Sequence, residues 1–248
     1  MNVIYALWLR EVKRYTRSRA QIIGSLGQPL LYLVALGFGL GPVFQKSGNG
    51  SYVQFIAPGM VGMTILFTSI FSGVGLLFDR QLGVLKATLV APAPRTTIMI
   101  GRTLGGATVA VLQGLLVLIV CLVAGFRPVS LAAIPVAFFF MAMIAMVFGG
   151  LGTAIGSALK DVQGFQLIMN FIVMPMFFLS GALFPLTNIP RLLGIATSVD
   201  PLSYGIDGLR SALIGISHYG MGVDALVLVV IAAAFQMLGG YFFSKIEL

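Results

Sequence analysis

Six runs of mostly apolar residues, at roughly 22–43, 56–78, 99–124, 131–158, 163–185 and 223–244, limit what this chain can become. Each holds about twenty residues or more, and at about 1.5 Å of rise per residue a helix of that length crosses the hydrocarbon core of a bilayer. Of the 248 residues 58% are apolar and only 9% are charged, far too little polar surface for a soluble domain of this length. An all-α integral membrane fold of six transmembrane helices follows, with residues 1–248 forming one domain. No long linker, low-complexity tract or internal repeat interrupts it. The N-terminus carries too many charges before its first apolar run, and lacks a small-residue cleavage site, so the first span is expected to persist rather than leave as a signal peptide.

The net charge of +8 does not describe a nucleic-acid-binding face, because the basic residues flank the apolar runs. Arg10, Lys13, Arg14, Arg17 and Arg19 precede the first span, and Arg80, Lys86, Arg95 and Arg102 surround the second loop. With the N-terminus inside, Lys160 and Lys245 join them, and only Lys46, Arg127, Arg191 and Arg210 remain outside. Both termini are therefore expected on the cytoplasmic side. Residues 1–20 form an interfacial amphipathic helix: Ile4, Tyr5, Trp8, Val12 and Tyr15 gather on one side, Arg10, Lys13, Arg14 and Arg17 on the other. Such a helix lies in the interface plane, its basic face toward anionic lipid headgroups or an acidic partner.

Catalytic readings fail on residue types. A phosphate-cradling loop is absent, and the dipeptide Gly-Lys never occurs. Cys121 and His218 are the only residues of their kinds, which leaves no disulfide framework and no zinc site. His218 reads as a solvated loop residue. Catalytic, cofactor-binding and metal-binding residues are thus expected to be none. Ion-coupled carriers bury an ionisable group near the midplane. Here Asp79, Arg102, Lys160 and Asp161 all sit near span ends, so the driving energy is expected from outside the chain. Gln28, Gln113, Gln166, Asn170 and Gln236 read as hydrogen-bonding groups between helices, and Gly37/Gly41, Gly101/Gly105 and Gly152/Gly156 as points of close approach.

Two connections stand out. The cytoplasmic loop 79–95 begins helically, with Leu82, Leu85 and Leu89 at helical spacing, and is stopped by Pro92 and Pro94. A short helix held between two spans suits the transmission of force from a soluble motor, with the leucines as apolar contacts and Arg80 and Lys86 at the rim. On the outer side, the fifth run ends in a Gly/Pro break, and residues 186–222 hold two segments too short to cross and too apolar for an ordinary loop. Two short helices are expected there, about 188–198 and 201–215, opened by Pro190 and Pro201 and dipping into the outer leaflet. Asp207 and Arg210 share a face of the second, where they are placed to pair or to orient a partner.

Leu179-Ser180-Gly181-Ala182-Leu183-Phe184-Pro185-Leu186, continuing through Ile189-Pro190 to Asp200-Pro201-Leu202-Ser203-Tyr204 and Asp207-Gly208-Leu209-Arg210, resembles the last third of ABC-2 type transporter permeases. Loop 79–95 resembles the family's coupling loop, an acidic cluster followed by Gly-Thr-Leu and a Thr-Pro pair. Here Gly83-Val84-Leu85 and Ala91-Pro92 match, while the acidic cluster is reduced to Asp79, with Gln81 and Lys86 where Glu is more usual. The resemblance implies ATPase coupling through Asp79, Arg80, Leu82, Gly83, Leu85, Lys86, Leu89 and Pro92. It implies a re-entrant gate of Gly181, Phe184, Pro185, Pro190, Pro201, Tyr204, Asp207 and Arg210, and an interfacial helix marked by Trp8, Arg10, Lys13, Arg14 and Arg17. It further implies a cytoplasmic-membrane exporter of hydrophobic or amphiphilic substrates, most like the daunorubicin-resistance and multidrug group. A cytoplasmic ATP-binding-cassette subunit would bind the ATP and Mg, and a second copy of the chain would complete the path. A secondary carrier or channel working without ATP is the alternative.

Overall fold

The computed structural model describes residues 2–46, 51–89, 93–186 and 190–246, and every regular element among them is helical. In chain order these are α1 (Val3–Arg17), α2 (Arg19–Lys46), α3 (Tyr52–Gln81), α4 (Val84–Leu89), α5 (Arg95–Val123), α6 (Ile134–Ala158), α7 (Val162–Ile168), α8 (Met174–Leu179), α9 (Arg191–Val199), α10 (Pro201–Ile214) and α11 (Met221–Ser244). Six helical segments are long and apolar enough to cross a membrane: α2 over Arg19–Gly37, α3, α5, α6, the α7–α8 stretch and α11. They fall on the six runs read from the sequence.

The fifth differs in detail. It is helical only over Val162–Leu179, and residues 169–173 widen into a π-turn in which Met174 N–H donates to the carbonyl of Met169. Pro175 supplies the cause: it has no N–H to return to the carbonyl of Phe171, so the ladder loosens one turn earlier.

α3 and α6 form the centre. Gly73 lies against the backbone of Gly152, Gly156 against that of Gly73, and a Cβ on Gly152 would stand 2.6 Å from the carbonyl oxygen of Ile70, so the two helices cross at backbone contact. α5 flanks them, joined by the Thr68–Gln113 hydrogen bond to α3 and by Thr103–Thr153 (3.2 Å) to α6. Gln236 donates to the carbonyl of Met146 at 2.9 Å and ties α11 to α6. Gln113 and Gln236 thus serve between helices as expected, whereas Gln166 and Asn170 are exposed. α2, α7–α8 and α11 are peripheral, with Leu31, Phe171 and Met237 among the large apolar side chains turned outward.

The two short helices α9 and α10 form close to the expected limits, although residues 187–189 lie outside the described ones. Pro190 caps α9, Pro201 opens α10, and the Asp200 carboxylate accepts from Leu202 N–H at 2.9 Å. α9 is largely exposed, while nearly all of α10 is buried between α3 and α6. Three glycines admit it: Gly62 against Ile206, Gly205 against Ile144 and Gly208 against Phe140.

Candidate functional site

Beside the end of α3, α1 is seated on α5 by two glycines. A Cβ on Gly101 would lie 3.1 Å from Ile4 Cα, and one on Gly105 would lie 2.8 Å from Glu11 Cβ. The Trp8 indole donates to Thr108 at 3.0 Å. The face of α1 turned inward is Leu7, Glu11 and Tyr15, while Tyr5 stays half exposed. A carboxylate therefore occupies the buried stripe, and it is neutralised in place: Glu11 receives Arg10 at 3.2 Å and Arg14 at 2.8 Å.

Arg10 also reaches Asp79 at the end of α3 (3.1 Å), and Asp79 takes Arg102 of α5 at 2.5 Å. The resulting chain, Arg14–Glu11–Arg10–Asp79–Arg102, laces α1, α3 and α5 together. Asp79 and Arg102 are only about a tenth exposed. Replacing Asp79 with Leu should therefore cost toward the lower end of the roughly 3–5 kcal/mol lost when one partner of a buried pair is removed. The thermal unfolding midpoint of the solubilised protein should fall accordingly, while Lys13→Ala at an exposed site of α1 should leave it almost unchanged.

α4 hangs beneath this platform. Gly83, at φ +74°, makes the reversal after α3 that a side chain would resist. Leu85 is buried (1% exposed) in a cluster with Leu7, Leu76, Ile98, Met99, Phe243 and Ile246. Arg95 locks the same corner by donating to the carbonyls of Ser244 (2.6 Å) and Ile246 (3.0 Å). Leu82, 75% exposed, and Val84 project away from the cluster.

A second cluster holds the break after α8. Gly181 takes φ +73°, and its carbonyl accepts from Arg210 at 2.9 Å. Arg210, 5% exposed, also stacks on the Phe55 ring at 4.1 Å, and Tyr52 hydroxyl donates to the carbonyl of Leu183 at 3.1 Å. Gly59 lets the Ala182 backbone against α3. Asp207 accepts from the backbone N–H groups of His218 and Tyr219, both at 2.8 Å, and from Ser217 hydroxyl at 3.2 Å. Tyr204 hydroxyl donates to the carbonyl of Ser198 at 2.7 Å, and its ring stacks on Tyr219. The two clusters sit at opposite ends of α3, joined by one helix of 30 residues.

The family model of the ABC-2 type transporter matches residues 2–214. The chain belongs to the ABC-2 type transporter family. Nodulation protein J of Rhizobium meliloti (strain 1021) is 30% identical to it, covering 89% of this chain and 86% of that protein. The inner membrane transport permease YadH of Escherichia coli (strain K12) is 27% identical over 94% of this chain and 91% of its own length. The molecule is thus a multi-pass membrane subunit of an ABC transporter, of a family that works with a separate ABC ATPase subunit.

Within this ABC-2 permease, several expected residues take other roles. Leu85 was expected to contact the motor, but it packs into the permease's own core, because α4 is too short to stay in place without an inward anchor. The Arg80 guanidinium turns to the carbonyl of Leu159 at 3.5 Å, and Arg10 points inward to Asp79 rather than toward lipid. Asp207 and Arg210 share a face yet form no ion pair among the described residues, since each is engaged by the backbone of a different loop. Lys13, Arg14, Arg17, Lys86, Phe184 and Pro190 are exposed, and Pro185 is half-buried. Pro92 and the side chain of Leu89 lie outside the described residues. Sequence reasoning missed Glu11, although a signal was present: it is the only acidic residue before Asp79, one helical turn from both Leu7 and Tyr15.

Proposed function

We propose that this subunit moves hydrophobic or amphiphilic compounds (drug-like molecules, lipids or glycolipids) out across the cytoplasmic membrane, driven by ATP that a cassette partner hydrolyses. The observation that carries this reading is the exposed Leu82–Gly83–Val84 turn on a platform braced by Leu85 and the Asp79 network. Force applied at the turn reaches α1, α3 and α5 together, and α3 leads to the outer cluster. Both termini and the platform face the cytoplasm in this reading, and α9–α10 enter the outer leaflet. Two copies face each other across the path, since six spans enclose too little space for a large amphiphile.

The purified permease should neither bind nor turn over ATP. Co-expression with its cassette subunit should yield a complex that hydrolyses ATP and accumulates substrate inside inverted vesicles. Nucleotide turnover by contaminant-free permease, or substrate movement by the permease alone, would overturn the reading in favour of a self-sufficient carrier or enzyme.

A further inference from the structure

α4 has six residues, too few for a helix to hold its shape unaided. Among its described side chains only Leu85 is buried, and part of the cluster that receives it comes from the end of α11. Phe243 and Ile246 stand there, 1% and 4% exposed, and Ala93 packs against the cluster. Apolar burial is non-directional: it opposes separation but lets one surface slide over another.

The same corner holds a directional contact. Past Ser244 the ladder of α11 ends, and the N–H groups of Lys245 and Ile246 turn back to the carbonyls of Phe242 and Phe243 at 3.1 and 3.3 Å. The last carbonyls of a helix lack helical donors, and their partial negative charge favours a cation. Arg95 supplies it. A single nitrogen, Nη1, donates to the carbonyls of Ser244 at 2.6 Å and Ile246 at 3.0 Å, which lie 149 and 151 positions further along the chain. Arg95 opens α5, whose first turn carries no acidic residue, so in its own helix this cation stands at the unfavourable end of the dipole. Its placement is explained by α11, not by α5. Lys245 does not compete, because its ammonium lies over the Tyr241 ring at 4.4 Å.

α11 is in turn fixed to the centre of the molecule. Gln236 bonds to the Met146 carbonyl of α6, and a Cβ on Gly239 would stand 3.1 Å from the carbonyl oxygen of Gly150. We propose that Arg95 is a positioning residue, fastening the end of α11 to the α4 corner so that a load on the Leu82–Val84 turn passes to α11 and α6 as well as to α1, α3 and α5. This inference rests on the reading of that turn as the motor's docking point. It adds the last span to the elements that the motor moves.

The test is amide hydrogen exchange on the full-length permease in phosphatidylcholine nanodiscs, alone and with its cassette subunit. Arg95→Met keeps an apolar stem and removes both donors. In the isolated permease it should speed exchange over 84–88 and 243–246 about five- to twentyfold, the lower part of what two hydrogen bonds give, because Arg95 lies at the surface. Exchange in α1 and α9 should not change. Arg95→Lys, whose one nitrogen carries three donors, should stay within about twofold of the parent. Lys245→Met should match the parent, which separates the two bonds from a general effect of charge at the end of α11. Adding the cassette subunit with the non-hydrolysable nucleotide AMP-PNP should alter exchange over 236–246 in the parent and in Arg95→Lys, but not in Arg95→Met. The response at the ends of α1, α3 and α5 should persist in all three. Unchanged exchange over 84–88 in Arg95→Met, or an α11 response that survives it, would overturn the proposal. A parent complex with no response in α1, α3 or α5 would instead overturn the docking reading, while the isolated permease decides separately whether Arg95 holds α4.

Discussion

Gly152→Leu should leave no folded permease. At the α3–α6 crossing the backbone of Ile70 is already in contact with Gly152, and even a single Cβ would stand 2.6 Å from its carbonyl oxygen. The obstacle is main chain, which cannot rotate away as a side-chain tip can. Overpacking of this kind costs roughly 1–3 kcal/mol for one or two added groups, and the helix-propensity gain of about 1 kcal/mol on replacing Gly by Ala offsets only part of it. Leucine adds three further carbons to the same point, and a total stability of about 5–15 kcal/mol does not cover a crossing forced apart along its length. Gly24→Leu on α2, where a Cβ meets nothing within 4 Å, is the control and should fold. Size-exclusion profiles and thermal melts of the two variants decide the matter: a monodisperse Gly152→Leu protein melting like the parent would mean that α3 and α6 do not touch as described.

Leu85→Asp and Leu82→Asp should fail in different ways, although the two leucines are three residues apart. Leu85 is enclosed by neighbours from α1, α3, α5 and the end of α11, as distant in the chain as Phe243 and Ile246, so an aspartate there forfeits about 1.5–3 kcal/mol of apolar burial and leaves a carboxylate among hydrocarbon. The sum should exceed about 4 kcal/mol, release α4 and lower the melting temperature of the isolated permease. Leu82 is mostly exposed, so its substitution should change the melt by no more than about 0.5 kcal/mol and still abolish capture of the cassette subunit and coupled transport. Lys86→Ala should matter far less, because exposed ion pairs contribute about 0–1 kcal/mol and are screened by salt. A Leu82→Asp permease that retains its ATPase and transports normally would show that the motor docks elsewhere.

These contrasts mark the boundary between what was legible in the residues and what was not. Span number and the membrane setting were legible because crossing a bilayer is a matter of length and composition, which are properties of a segment alone. The starts of α9 and α10 were legible because Pro190 and Pro201 act on their own backbone. The motif at 179–210 and loop 79–95 carried enough of their family's pattern for the ABC-2 resemblance, and the family model matches across both.

Tertiary structure alone decided the orientation of individual side chains. Three glycine pairs have the same spacing, yet Gly101/Gly105 and Gly152/Gly156 meet another helix closely, whereas a Cβ on Gly41 would meet nothing within 4 Å. Asp207 and Arg210 lie one turn apart, as a pair should, but the Ser217–Tyr219 backbone and the carbonyl of Gly181 engage them first. Glu11 breaks the apolar stripe of α1 and is still buried, because Arg10 and Arg14 neutralise it. In each case the outcome depends on groups remote in the chain, and periodicity within one helix carries no information about what stands opposite it. Local sequence determined which segments become helices; packing among helices decided which face of each became core, which became platform, and which was left exposed.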